Sequence, residues 1–261
     1  MSGNNKKAKL AVFKFSSCSG CQDKLIDLGE NLLSLIEKVE IAYFLEASSR
    51  IDPGPYDVAL IEGSVSTPHE VELVKEIRKN SRIVIAIGTC AVYGGIQSLR
   101  NWMNYQDVVK QVYPKPEWIN SLEKSTPVSD HIRVDYQVSG CPVNELQLFS
   151  VLKQVLTGRR PYHRLESLCQ ECKRRGNVCV MVSRGIPCLG PIMVEGCGAL
   201  CPSYGRGCYG CFGPMIDPKP DALARRLEEI GLPKEEVILR LRGFTGWSDP
   251  IRRFLERYER E

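Results

Sequence analysis

No run of about eighteen apolar residues occurs anywhere in this chain, which argues against a membrane-spanning helix. Charge of one sign is equally scarce, with 35 Lys and Arg against 31 Asp and Glu for a net charge of +4. No segment interleaves basic with aromatic side chains, so nothing calls for nucleic acid. A secretion signal is missing too. Residues 1–9 are polar and basic, only the short apolar run 10–15 follows, and neither a small-residue cleavage site nor a twin arginine accompanies it. Internal repeats and low-complexity segments are absent. These absences predict a cytoplasmic chain that engages neither membrane nor nucleic acid. Its 261 residues and 43% hydrophobic content suit one large globular domain or two modest ones.

Cysteine stands out against that background, with twelve copies. In an exported protein such an even count would suggest disulfides. In a reducing compartment it points to metal or redox chemistry.

Residues 8–158 alternate strand and helix patterns. The apolar run 9–15 reads as a strand, and Leu25, Leu28, Leu32, Leu35, Ile36 and Val39 then recur at helical spacing. Residues 40–45 and 57–61 read as buried strands, 68–79 as a helix opened by Pro68, and 82–87 as a strand rich in β-branched residues. A last strand is expected over 132–138. The helix expected over 143–156 places Val143, Leu146, Phe149, Leu152 and Val155 on one face, with Gly158 as its stop. Such alternation predicts an α/β fold with a doubly wound parallel sheet.

Cysteines track the strand ends in this half. Cys18 and Cys21 follow the first strand, Cys90 the 82–87 strand, and Cys141 the last one. Ligands of doubly wound sheets sit outside the carboxyl ends of the strands, so four thiolates would converge there, the number that a 4Fe–4S cube requires. Gly20, Gly88 and Gly140 permit tight turns beside them. Cys141-Pro142 is expected to open a helix whose amides face the anionic cluster. A thioredoxin-like pair at Cys18 and Cys21, or a zinc ion on the same four residues, stays open. Glu62 ends a strand nearby, as a cluster neighbour or as a plain turn cap.

From Cys169 onward the pattern changes. Residues 169–213 hold eight cysteines and nine glycines without a sustained period of two or 3.6. This segment is not expected to build an apolar core of its own, so bound metal is the natural source of its folding energy. The cysteines run Cys169, Cys172, Cys179 and Cys188, then Cys197, Cys201, Cys208 and Cys211. Two paired CxxC units would also serve zinc ribbons. The Cys197-x3-Cys201-Pro202 step instead matches the end of a bacterial ferredoxin motif, and four plus eight makes three sets of four. Beyond residue 217 a polar helical tail is expected, capped by Asp221, stopped at Gly231 and capped again at Ser248, as a solvated appendage or a docking element.

Cys18-x2-Cys21, Glu62-Gly63-Ser64, Gly88-Thr89-Cys90, Gly140-Cys141-Pro142 and the run Gly196-Cys197-Gly198-Ala199-Leu200-Cys201-Pro202 together resemble the small subunit of NiFe hydrogenases. The likeness lies in the soluble cytosolic branch that includes F420-reducing and NADP-linked enzymes and the delta subunits of archaeal sulfhydrogenases. That resemblance implies a flavodoxin-like domain over 1–160 with a proximal cluster, then a loop-rich iron–sulfur domain over 161–261 with two more clusters and a helical tail.

It further implies three 4Fe–4S clusters: a proximal one on Cys18, Cys21, Cys90 and Cys141, a distal one on Cys169, Cys172, Cys179 and Cys188, and a medial one on Cys197, Cys201, Cys208 and Cys211, with a swap between the last two sets open. His163 is then structural, and the chain supplies no catalytic residue. Hydrogen chemistry would belong to the nickel–iron centre of a partner large subunit. A FAD- and NADP-binding subunit and a ferredoxin-like iron–sulfur subunit would complete a hetero-oligomer that also serves sulfur or polysulfide reduction. Two rivals stand beside it: the cluster subunit of a respiratory quinone reductase, which would have adjacent cysteines and no eight-cysteine extension, and a zinc-binding interaction module. Five basic against two acidic side chains between Cys169 and Cys211 predict a positive setting that favours reduced clusters.

Overall fold

The computed structural model describes residues 7–162 and 166–260, so His163 lies outside the described residues. Its sheet is built from β1 (Ala8–Lys14), β2 (Val39–Phe44), β3 (Tyr56–Glu62), β4 (Ser81–Ile87) and β5 (Tyr136–Val138). All pairings are parallel, in the order β2-β1-β3-β4-β5, the doubly wound flavodoxin order. Strands buried on both faces need continuous apolar runs, and β1, β3 and β4 supply them.

Alternate residues part to the two faces. Leu10, Val12, Leu60, Ile85 and Ile87 pack beneath α1 (Gly20–Ile26), α2 (Glu30–Ile36) and the helix over Glu145–Leu156. Ala11, Phe13, Ile61, Val84 and Ala86 meet α3 (Pro68–Lys79) and α4 (Gly88–Tyr93) on the other. Helix α3 starts where expected because Thr67 and Glu70 form a capping box: the Thr67 hydroxyl accepts from the Glu70 amide at 3.2 Å, and the Glu70 carboxylate accepts from the Thr67 amide at 2.9 Å. α5 (Tyr105–Val112) and α6 (Glu145–Leu156) follow.

Three expectations from periodicity change. The helical stripe 25–39 is broken at Gly29, whose φ of +56° ends one helix before the next begins, and Val39 opens β2. The last strand contracts to three residues. Helix α6 starts at Glu145, capped by Asn144, because Val143 is held in a bridge with Gly140. Its buried stripe is therefore Leu148, Val151, Leu152 and Val155, and Leu146 is exposed.

α7 (Leu168–Arg174), α8 (Val180–Arg184) and α9 (Leu200–Ser203) are short turns within the cysteine-rich segment. The tail forms α10 (Pro220–Glu229), α11 (Lys234–Arg242) and α12 (Asp249–Tyr258). It is no appendage. Leu223, Leu227, Val237, Leu241, Ile251, Phe254 and Leu255 pack on Val180, Met181, Leu189, Ile192 and Met193 in one buried cluster. The segment expected to lack an apolar core thus has one, half of it supplied from the tail. Asp221 lies inside the first turn of α10, after Lys219 and Pro220, and pairs with Arg257. Ser248 does flank α12, but its hydroxyl donates to the Thr245 carbonyl at 2.6 Å instead of capping amides. No helix among the described residues is long and apolar enough to cross a membrane.

Candidate metal centres

Cys18, Cys21, Cys90 and Cys141 all lie just past carboxyl ends of β1, β4 and β5. Cys21, Cys90 and Cys141 are electrostatic neighbours of one another, and Cys18 neighbours Cys90 and Cys141. Closeness here demands glycine. At Gly88, with φ of +80°, a methyl group would collide with the Cys21 sulfur. One on Gly95 would lie 2.8 Å from Cys90 Cα. Cys141-Pro142 does not open a helix. The following helix, α6, starts only at Glu145, with Asn144 as its cap.

Glu62, 2% exposed, lies among Cys21, Cys90 and Cys141. One carboxylate oxygen accepts from the Cys21 amide at 3.1 Å, the other from Gln22 Nε2 at 2.7 Å, so it adjoins the quartet and anchors the start of α1.

A second quartet forms around α7. Cys169 and Cys172 stand one turn apart on it, Cys179 precedes α8, and Cys188 follows in a loop. The sulfurs of Cys188 and Cys169 both lie close to Gly190, 3.4 and 3.6 Å from a methyl group built there. Cys169 and Cys188 each have Cys179 and Cys172 as electrostatic neighbours. The third quartet is Cys197, Cys201, Cys208 and Cys211, of which Cys197 and Cys201 both neighbour Cys211, and Cys211 neighbours Cys208. These neighbour relations follow the expected sets without closing them off, since Cys208 also neighbours Cys188 and Cys211 also neighbours Cys141.

The quartets also touch one another in a fixed order. The Cys208 amide donates to the Cys188 sulfur at 3.2 Å, joining third to second. Thr89, buried beside Cys90, joins first to third: its hydroxyl donates to the Cys211 carbonyl at 2.5 Å and accepts from the Gly140 amide at 3.1 Å. Ser139 adds a bond to the Phe212 carbonyl at 2.6 Å, and the Phe212 ring fills the space between Gly140 and Gly196. Sequence reading used Gly88-Thr89-Cys90 for its turn and missed the threonine, because its partners lie 51 and 122 residues away. Thr89→Val keeps the shape but strands two buried polar groups, an expected loss of about 3 kcal/mol. Denaturant unfolding under anaerobic conditions measures it, with Thr89→Ser retaining most of the stability.

The donor set fits an iron–sulfur group. Burial, the leading cause, pushes the thiols of Cys90 and Cys169 up to about 11 and that of Cys211 up to about 12, and raises Cys21, Cys141, Cys188, Cys197 and Cys208 as well. Thiolates in such places need a cation among them. Among the described residues, no three Cys, His, Asp or Glu side chains are gathered closely enough for one metal ion. Loop positions are held by polar contacts that the sequence did not reveal. Glu171 accepts from the amides of Gly196 and Ala199 on either side of Cys197, at 3.2 and 3.1 Å, and Gln97, beside Cys90, donates to the Ser16 carbonyl at 2.8 Å.

The positive setting rests on four of the five basic side chains. Arg174 pairs with Glu166 and with buried Glu195, and Arg175 donates to the Gly198 carbonyl, so the uncompensated charge belongs to Lys173, Arg175, Arg184 and Arg206.

Over residues 18–155 the chain matches the family described as NADH ubiquinone oxidoreductase, 20 Kd subunit. It is 39% identical over 239 residues to the sulfhydrogenase 2 subunit delta of Pyrococcus furiosus, covering 92% of this chain and 100% of that one. Among solved structures it resembles a chain of an NAD+-reducing NiFe hydrogenase in the H2-reduced state, with a TM-score of 0.57 and 30% identity over 61% of this chain and 96% of that one. A chain of the actinobacterial-type NiFe hydrogenase from Ralstonia eutropha H16 shares the fold, with a TM-score of 0.59 and 16% identity over 98% of this chain and 90% of that one.

Proposed function

The chain belongs to the NADH ubiquinone oxidoreductase 20 kDa subunit family and, within it, to the electron-transfer small subunits of NiFe hydrogenases, and from that premise we propose that its three cysteine quartets hold three 4Fe–4S clusters. Cys18, Cys21, Cys90 and Cys141 would hold the proximal one, in a flavodoxin-like part spanning 1–160. Cys197, Cys201, Cys208 and Cys211 would hold the medial one and Cys169, Cys172, Cys179 and Cys188 the distal one, both within 161–261. The observation that carries this reading is the chain of contacts Gly140–Thr89–Cys211 and Cys208–Cys188, which runs from the residue before Cys141 to the other two quartets. A cubane cluster supplies one reversible electron at a potential set by its hydrogen bonds, charge and burial.

The chain's own residues do the rest. Leu25, Ile87 and Val143 pack with Cys21 in one buried cluster, Cys18 stays exposed, and Thr89 ties the third quartet to the first. In this reading the nickel–iron centre of a partner large subunit performs the hydrogen chemistry. Electrons leave at the distal end for a ferredoxin-like iron–sulfur subunit and a FAD- and NADP-binding subunit, in a hetero-oligomer that also reduces sulfur or polysulfide. Anaerobic metal analysis of the full chain tests the core of it. The expected result is about twelve iron and as many acid-labile sulfides per chain. Two or three zinc ions without sulfide would replace the relay with a zinc-binding module.

A further inference from the structure

The second quartet sits under a patch of surface that the fold itself does not use. Cys179 is exposed, unlike its three partners, and it is flanked by Val178 and Val182, 71% and 75% exposed. Two contacts bring α9 and the turn after it alongside. Asn177 Nδ2 donates to Ser203 Oγ at 3.0 Å, and the Arg184 guanidinium lies over Gly205, 3.0 Å from a methyl group built there. Tyr204 and Leu200, 79% and 55% exposed, therefore join Val178 and Val182 in one apolar patch. Scattered exposed apolar residues need no explanation, but four gathered around one exposed cysteine do.

The rim of this patch has one sign. Lys173, Arg175, Arg184 and Arg206 form no ion pair among the described residues, whereas the carboxylates of the same segment are turned to internal duty: Glu171 on loop amides, Glu195 buried against Arg174. An apolar centre ringed by uncompensated guanidinium and ammonium groups fits a partner with the opposite rim. We propose that Val178, Val182, Leu200 and Tyr204, with Arg184 and Arg206, are the docking face for an acidic one-electron carrier protein, which takes electrons over Cys179. The proposal rests on the relay reading, since it assigns that quartet the exit.

The test uses the full chain, loaded with iron and sulfide, reduced, freed of excess reductant and mixed rapidly with oxidised acidic two-cluster ferredoxin as the probe. Steering by opposite charge is screened by salt, so the second-order rate constant is expected to fall at least tenfold between 50 and 500 mM NaCl, on the order of the steering factors known for charged partners. Arg184→Glu is expected to slow the ferredoxin about tenfold at low salt and Val182→Asp several-fold, each with unchanged iron content, while Arg184→Lys stays near the wild-type rate. With basic cytochrome c as a second probe, Arg184→Glu is expected to act in the opposite direction, speeding transfer. Ferredoxin rates within twofold of wild type in both variants would overturn the proposal. So would loss of chain self-association, or of large-subunit binding, in Val182→Asp, since the face would then belong to that partner. A wild-type chain without iron or sulfide would instead remove the relay reading on which the docking face depends.

Discussion

Gly207→Ala is expected to strip the chain of two of the three proposed clusters while sparing the first. Residue 207 has an ordinary backbone conformation, so the difficulty is one of space alone. A methyl group there would lie inside the van der Waals shell of the Pro187 carbonyl oxygen, 2.8 Å from its carbon and 3.2 Å from Cys188 Cα. Every one of those atoms is backbone, so no rotamer change relieves the clash. Segments 187–189 and 207–208 must move apart instead. Their separation breaks the Cys208 amide bond to the Cys188 sulfur and the Leu189 amide bond to the Cys208 carbonyl, at 3.2 and 3.1 Å. Overpacking of this kind costs about 1–3 kcal/mol, and two lost hydrogen bonds add about 1 kcal/mol each.

On the proposed ligation, Cys188 and Cys208 belong to different clusters, so a single displacement disturbs both. Iron is expected to fall from about twelve to about four per chain, a count that follows from four iron per cube. The survivor would be the sheet-edge cluster, whose ligands all lie before residue 142. Gly231→Ala is the control. Its site has φ of +96° but no atom within 4 Å of the added methyl, so the expected cost is only the backbone penalty of about 1–2 kcal/mol, with iron unchanged. Equal iron contents in the two variants would mean that the close approach at Pro187 does not hold the quartets together.

What the sequence disclosed followed the reach of each signal. Strand runs such as 82–87 and the helix opened by Pro68 are local signals, and both appear within a residue of where the sequence places them. The nearness of Cys18, Cys90 and Cys141 was legible because a doubly wound sheet collects strand ends, a rule of topology that converts sequence order into position. The face of α6 was misjudged because a long-range bridge between Gly140 and Val143 delays the helix and resets which residues point inward. Thr89 and Glu171 were invisible for a similar reason. A hydroxyl or carboxylate that holds a distant loop looks no different in sequence from one that faces water. The largest misjudgement was the tail, where a charge-rich composition concealed a stripe of Leu223, Leu227, Val237, Leu241, Ile251 and Leu255.

Removal of that tail is therefore expected to abolish the two later proposed clusters as completely as removal of their cysteines. A chain ending at Pro218 keeps all twelve thiols but uncovers Val180, Met181, Leu189, Ile192 and Met193, which lie between the cysteines of the second and third quartets. Exposing each such side chain costs about 1.5–3 kcal/mol, against a whole-domain stability of about 5–15 kcal/mol. The hydroxyl of Thr245, which donates to the Gly210 carbonyl at 3.1 Å between Cys208 and Cys211, is lost as well, and so is the edge-on contact of Trp247 with Trp102 at 5.4 Å. The sheet has its own two cores, so its cluster should survive, again at about four iron per chain. Leu227→Ala grades the effect: a fully buried leucine truncated in place is expected to cost about 2–5 kcal/mol, with partial iron loss that added iron and sulfide at low temperature restore. If the shortened chain instead bound its full complement of iron, metal alone would be folding residues 169–213, and the apolar cluster beneath the quartets would be incidental to them.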